Sequence, residues 1–379
     1  MREAERGRGA PASAEPGGVQ GSPPKRIDLA ELSRPELEQA FEKLGLPRFR
    51  ATQVYRWIHR RSVTAIAAMS NLPADLRALL AREFRIGGPV IRRKDVSTDG
   101  TTKLLLGLKD GREIESVYIP DTPNQTFCVS TQVGCAMACG FCLTGKMGLT
   151  RNLTAGEIAG QVRLLAHETG LSDAPFNIVL MGMGEPLHNY DATMKALRML
   201  YDEEGLAVHP KRVTLSTVGV VSGLAKLAQE PDMPNIAISL HATTDDARDR
   251  LVPINRKWKI RELLDQCREL PIGKRRRITF EYVLLDGVND TPADARRLAK
   301  LLGNLRAKVN LLPLNAAPGI PFSRPSDERV NAFARILADA GMIVSVRKSR
   351  GRDIRAACGQ LIVEGQQKTT GQKAADAFR

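Results

Sequence analysis

The chain has 379 residues, 42% of them hydrophobic and 26% charged, enough apolar material for a buried core spread over two or three domains. Lysine and arginine exceed aspartate and glutamate by 56 to 42, a formal charge of +14, which points to a polyanionic partner such as nucleic acid, the alternative being a solvated basic surface. Six unevenly spaced cysteines do not make the disulfide framework of a small secreted domain, and no apolar run approaches the roughly 18 residues that span a bilayer, so a cytoplasmic location without membrane contact is expected.

Residues 1–26 carry nine Gly or Pro and no apolar stretch of the signal-peptide kind, so a disordered tail is expected. From 27 to 87 the pattern is helical. In LSRPELEQAFEKLGL, Ser33 is placed to cap a helix with Pro35 in its first turn, and Leu37, Ala40, Phe41 and Leu44 share one face. The next element, RATQVYRWIHRR, sets Arg50, Arg56, Arg60 and Arg61 beside Tyr55 and Trp57. That mixture suits RNA through phosphate contact and base stacking, and it suits equally well a helix whose aromatics are core. The reading is of a small helical accessory domain for RNA. Residues 88–121 hold the turn signals STDG and KDG between short apolar segments, which predicts a β-meander linking two domains. Glu115 lies in it, and taken alone reads as a strand-edge carboxylate.

Beyond 122, the apolar runs TFCVSTQ, FNIVLMG, RVTLSTVG, NIAISLHA, ITFEYVLLDG and KVNLLPLNA alternate with helical stretches beginning near Thr154, Asp191, Val221, Ile260, Pro292 and Ser326. Mostly continuous hydrophobicity indicates strands covered on both faces, hence a parallel sheet with right-handed crossovers and an α/β fold class. Thr154 with Glu157 predicts a capping box on the first helix. In such folds chemistry collects on the loops after strand C-terminal ends. Here those loops hold Cys135 to Cys142, GMGEP, Ser216, Ser239 to His241, and Asn315. Residues 362–379 are a polar tail.

Four of the six cysteines fall in TFCVSTQVGCAMACGFC. Cys135, Cys139 and Cys142, spaced C-x3-C-x2-C, let three thiolates wrap one inorganic cluster. With a four-iron cubane one iron stays open, able to chelate the amino and carboxylate groups of S-adenosyl-L-methionine (SAM). The alternative is a structural zinc with Cys128 as fourth ligand, although Cys128 stands in an apolar strand. Cys358, in RGRDIRAACGQL, reads by default as a buried apolar thiol, as does Cys267 on its helix.

The cysteine trio at the first strand of an incomplete α/β barrel resembles the radical SAM superfamily. With it, GMGEP, VTLSTVG, SLHA, VPIN and RGRDIRAACGQL resemble the RlmN/Cfr family of RNA methyltransferases, from about residue 28 to 361. The RlmN branch, which methylates adenine C2 in ribosomal and transfer RNA, is the nearer likeness through GMGEPL and PLNAAPGIPFSRP. The Cfr-type adenine-C8 enzymes are the alternative, and a non-catalytic iron-sulfur or zinc RNA-binding protein is the alternative of another class.

The resemblance implies an incomplete (β/α)6 barrel over 122–361, one 4Fe-4S cluster on Cys135, Cys139 and Cys142, and two SAM molecules consumed per turnover. It implies cofactor contacts from Gly184, Glu185, Ser216, Ser239, Leu240, His241 and Asn315, with Glu185 taking the methionyl ammonium where it otherwise reads as a helix cap. Cys358 would be methylated by a first SAM. A 5′-deoxyadenosyl radical from the second would remove a hydrogen from that methyl group, and the resulting radical adds to C2. Glu115 would accept the C2 proton and Cys128 attack the Cys358 sulfur, leaving a transient disulfide. The implied partners are 23S rRNA, tRNA and an electron donor such as flavodoxin or ferredoxin, with a monomer expected. Lys274 to Arg277, Arg306 with Lys308, and Arg347, Lys348, Arg350 and Arg352 are candidates for the RNA backbone.

Overall fold

The computed structural model describes residues 26–120 and 124–363. The expected tails lie almost wholly outside them, as does the expected boundary at 122.

Residues 27–86 fold round three helices, α1 (Arg34–Glu42), α2 (Arg48–His59) and α3 (Ala74–Glu83). The cap on α1 forms: the Glu36 carboxylate accepts the Ser33 backbone N–H at 2.8 Å. Leu37 and Phe41 are fully buried with Val54, Ile58 and Leu80. Because α1 stops at Glu42, Leu44 lies past its last turn and is exposed. Tyr55 is also core, its hydroxyl donating to the Met199 carbonyl at 3.1 Å, so it cannot stack on a base. Arg56 and Arg60 turn toward Glu204 and Asp173 of the following domain. The aromatic and basic face of α2 therefore spends much of its length on docking.

From Val90 onward, ten strands among the described residues form one sheet in unbroken chain order. They are β1 (Val90–Val96), β2 (Thr102–Gly107), β3 (Glu113–Ile119), β4 (Thr126–Cys128), β5 (Asn177–Leu180), β6 (Val213–Thr217), β7 (Asn235–Ser239), β8 (Ile278–Leu284), β9 (Ala307–Pro313) and β10 (Ile343–Val346). The strands β1 to β4 pair antiparallel. From β4 to β10 every pairing is parallel. The meander is thus continuous with the parallel sheet. The six expected runs supply β4 to β9, and β10 is a further parallel strand. It escapes a reading by apolar runs because it is the sheet's outer edge and three of its four residues are exposed.

Helices α4 (Ala155–Glu168), α5 (Tyr190–Tyr201), α6 (Val221–Leu227), α7 (Asp245–Leu251), α8 (Ile260–Glu269), α9 (Pro292–Leu302) and α10 (Asp327–Asp339) occupy the crossovers. The capping box on α4 is present, Thr154 N–H donating to Glu157 at 3.0 Å and Glu157 N–H to the Thr154 hydroxyl at 3.2 Å. Ile178, Leu215, Phe280 and Val309 of the strands pack with Ile158, Leu197, Leu263 and Phe333 of the helices in one core, which also takes Cys267. Each such side chain contributes about 2 kcal/mol by leaving water. Among the described residues no helix is long and apolar enough to cross a membrane.

Candidate active site

Past β4 the chain enters a small hairpin, Gln132–Gly134 against Leu149–Asn152, which frames the cysteine loop. Cys135 N–H donates to the Gly148 carbonyl at 2.9 Å and Gly140 N–H to Leu251 at 3.0 Å, fixing the loop at both flanks. Cys135, Cys139 and Cys142 are free thiols that line one cavity at the C-terminal ends of the parallel strands. Burial pushes all three thiols up, and for Cys139 its neighbours Cys142 and Cys135 add to the shift. Only Arg248 opposes with positive charge at Cys139. Three soft, desolvated sulfurs that repel one another fit a cationic iron-sulfur group better than they fit one another. Among the described residues no three Cys, His, Asp or Glu side chains converge on a single-ion site, and a four-iron cubane holds its ligands further apart than one ion does. Cys128 is not on the cavity lining.

Glu185 is 2% exposed and sits at the turn after β5. Its carboxylate accepts Leu187 N–H at 3.0 Å and Val218 N–H at 2.9 Å, while its own N–H donates to Gln132 at 2.9 Å. It therefore does cap the short turn that follows, and it faces the cavity as well. Burial raises its pKa to about 7. Gly184 has φ +107°, and a Cβ there would stand 2.6 Å from that of Gln132, so only glycine fits. Ser216, Ser239, His241 and Asn315 line the same cavity, whereas Leu240 is fully buried between Ser239 and His241 and does not. His241 holds φ +59° and accepts Val283 N–H on Nδ1 at 3.0 Å. Burial and then Arg248 push it down to about 3, so the ring is neutral.

The segment carrying Cys358 closes over this cavity. Asp99 accepts Gly351 N–H at 3.0 Å, and Asp353 accepts the Ser97 hydroxyl at 2.5 Å and Thr98 N–H at 3.2 Å. Further along, Leu143 N–H donates to the Gly359 carbonyl at 2.9 Å and the Thr144 hydroxyl to Leu361 at 2.7 Å. Cys358 lines the cavity, and Cys128 lies close enough to it that burial, then the Cys358 thiol, push Cys128 up to about 12. Cys358 is solvent-exposed, not a buried apolar thiol. Glu115 is no strand-edge group, since β3 is paired on both sides. It is 1% exposed, lies off the cavity wall, and accepts Ile362 N–H at 2.8 Å.

Sequence reading missed Arg248, Glu281 and Lys103. Arg248 is 1% exposed and its guanidinium donates to the carbonyls of Leu240 at 3.0 Å, Val218 at 2.6 Å and Ser239 at 3.2 Å, tying two strand-end loops together behind the cysteines. Glu281 and Arg347 line the cavity with Cys358. Of the basic groups, Lys274 to Arg277 precede β8, and Arg306 and Lys308 stand at the start of β9. Both lie at strand N-terminal ends, away from the cavity, because parallel strands point one way. Only the group from Arg347 onward is on the cavity side.

Residues 129–300 match the family model of the radical SAM superfamily, and 27–86 match that of the ribosomal RNA large subunit methyltransferase N-terminal domain. The chain is 47% identical over 367 residues to the dual-specificity RNA methyltransferase RlmN of Paracoccus denitrificans, covering 92% of this chain and 94% of that protein. It is 46% identical over 337 residues to RlmN of Pelobacter propionicus, covering 89% and 96%. The crystal structure of a radical SAM methyltransferase from Sphaerobacter thermophilus superposes with a TM-score of 0.84 at 47% identity, over 88% of this chain and 99% of that one. The chain belongs to the RlmN family of the radical SAM superfamily.

Proposed function

We propose that this radical SAM RNA methyltransferase places a methyl group on C2 of an adenine in 23S rRNA and of the adenine 3′ to the anticodon in tRNA. The observation that carries the reading is the convergence of Cys135, Cys139, Cys142, Glu185 and Cys358 on one cavity at the strand ends. Cys135, Cys139 and Cys142 would hold the 4Fe-4S cluster, which when bound supplies the electron that cleaves SAM to a 5′-deoxyadenosyl radical. Gly184 and Glu185 present a close backbone and a carboxylate to the methionyl ammonium, and Ser216, Ser239, His241 and Asn315 border the rest of the cofactor, with Leu240 buried behind Ser239 and His241 as packing.

Cys358 takes CH3 from one SAM by displacement, releasing S-adenosylhomocysteine. After loss of one hydrogen the S-bound carbon joins C2, a carbon too poor a nucleophile for direct displacement. Glu115 takes the C2 proton, and the odd electron left on the ring adduct returns to the electron-transfer system that supplied one for SAM cleavage. Cys128 then attacks the Cys358 sulfur, breaking its bond to the methylene carbon, which keeps the electron pair and takes a proton from solvent to become the methyl group, and forming a disulfide that an external thiol reduces. A second SAM is used in each turnover, electrons come from a small donor such as flavodoxin or ferredoxin, and the protein works in the cytoplasm as a monomer.

The test is anaerobic reconstitution with iron, sulfide, reductant, SAM and an rRNA fragment. The expected products are 5′-deoxyadenosine and 2-methyladenosine. Finding 8-methyladenosine instead overturns the C2 assignment, and no release of 5′-deoxyadenosine with RNA present overturns the enzymatic one.

A further inference from the structure

Lys103 and Glu115 form an ion pair inside the protein. Lys103 Nζ stands 2.9 Å from Glu115 Oε1, and their side chains are 7% and 1% exposed. They lie on neighbouring antiparallel strands, Lys103 opposite Val117 and Leu105 opposite Glu115, so the contact is the diagonal one. A buried pair of this kind loses more hydration than its attraction returns unless the remaining lone pairs are satisfied. Here the second carboxylate oxygen is satisfied, by Ile362 N–H at 2.8 Å, on the segment that carries Cys358. For stability alone the pair is then close to neutral. As a device for holding a charged carboxylate at depth beneath the methyl-carrying segment it is well built.

We propose that Lys103 is a positioning residue for proton transfer, keeping Glu115 ionised and aimed at the Cys358 segment until that segment lifts and exposes Oε2 to the substrate base. The inference rests on the reading of Glu115 as proton acceptor. In the step itself the C2–H bond breaks, its electrons stay with the ring, and the proton bonds to Oε2. The group facing Glu115 from β2 is Lys103, and Arg93 acts from β1. The Ser130 hydroxyl, which donates to the Glu115 carbonyl at 2.6 Å, and the Met183 sulfur, 3.4 Å from its N–H, bring no charge. Burial raises the Glu115 carboxyl and Lys103 is the largest influence against it. Removing Lys103 therefore moves the carboxyl further up, and the acid limb of the rate profile moves with it toward higher pH.

The experiment compares Lys103→Met, Lys103→Arg and Glu115→Gln as reconstituted holoenzymes in single turnover with the RNA fragment. In Lys103→Met, methylation of Cys358 read by intact mass should still occur. Adenine methylation should fall about tenfold at neutral pH, the acid limb should shift upward, and a covalent protein–RNA adduct should accumulate. Lys103→Arg should restore the limb. If Glu115→Gln turns over like the parent, the proton-acceptor reading fails and the role of Lys103 with it. If Glu115→Gln stalls at the adduct while Lys103→Met keeps the parental rate and limb, the role of Lys103 alone is overturned. A lowered melting temperature with an unmoved limb overturns it as well. Should Lys103→Met not fold, Lys103→Gln is read in the same way.

Discussion

Asp99 accepts the backbone N–H of Gly351 at 3.0 Å, across 252 residues of chain. The first hairpin turn of the meander thus holds the segment that leads to Cys358. Burial pushes the Asp99 carboxyl up, but bonds from Gly351 and Thr101 outweigh it and hold it at about 2, against an ordinary value of about 4. A pKa depressed in the folded state gives an anchor fully present above about pH 4 and lost as pH falls toward 2. Asp99→Ala removes the anchor at neutral pH. Discounted for solvent screening, that is about 1 kcal/mol, or roughly fivefold in local opening. Trypsin cleavage at Arg350 to Arg355 should quicken to that extent with the global melting temperature unchanged; equal cleavage rates would show that the anchor is idle.

The division of the clustered cysteines into three and one is measurable. Alanine at Cys135, Cys139 or Cys142 should abolish iron retention after reconstitution. Cys128→Ala should keep the iron and sulfide content of the parent and trap a covalent protein–RNA adduct. Loss of metal from Cys128→Ala would restore the four-thiolate zinc or iron site as the better reading.

Glu185→Gln keeps the volume and removes the charge, and its single amide oxygen can accept only one of the Leu187 and Val218 N–H groups. SAM binding to the reconstituted protein should weaken by about 2 kcal/mol, roughly thirtyfold, the usual worth of a charge-assisted hydrogen bond. Calorimetric titration decides it, and parental affinity would leave Glu185 as a cap only. Gly184→Ala next to it should destabilise the fold, since the added Cβ meets Gln132 in a backbone region that side chains rarely adopt.

Arg248→Met removes the side-chain donor to the Val218 and Ser239 carbonyls and to the Asn255 amide oxygen, leaves the Leu240 carbonyl only the Ala242 N–H, and should cost about 3 kcal/mol. Arg248→Lys should recover only part, because one ammonium cannot span the positions a guanidinium fork reaches. Denaturant midpoints measure both, and an unchanged midpoint in the methionine variant refutes the tie between the strand-end loops.

The interior of the sheet was legible because strands covered on both faces need continuous apolar runs, and β5 to β9 have them. Edge strand β10 has no such need and left no such trace. The cysteine spacing and GMGEP were legible because their chemistry is local in the chain. Arg248 and Lys103 were not. Arg248 stands in DDARDRL, which reads as a solvated helix face, and Lys103 precedes LLLG like any turn-flanking lysine. Their importance comes from burial and from partners brought in by other strands, which periodicity does not register. Tyr55 stayed open between RNA contact and core, since an aromatic among arginines fits either until the packing partner of its helix is known.

The unbroken strand order carries a consequence for biosynthesis. Each strand emerging from the ribosome finds its partner in the one made just before it, so the sheet can grow from the meander outward. The piece bearing Cys358 is made after all ten strands, and the turn it must grip, at Ser97 to Asp99, is among the first. The segment bearing Cys358 is then fastened across the cavity by the two ends of the fold meeting, so the cavity is complete only once both ends of the sheet domain are in place.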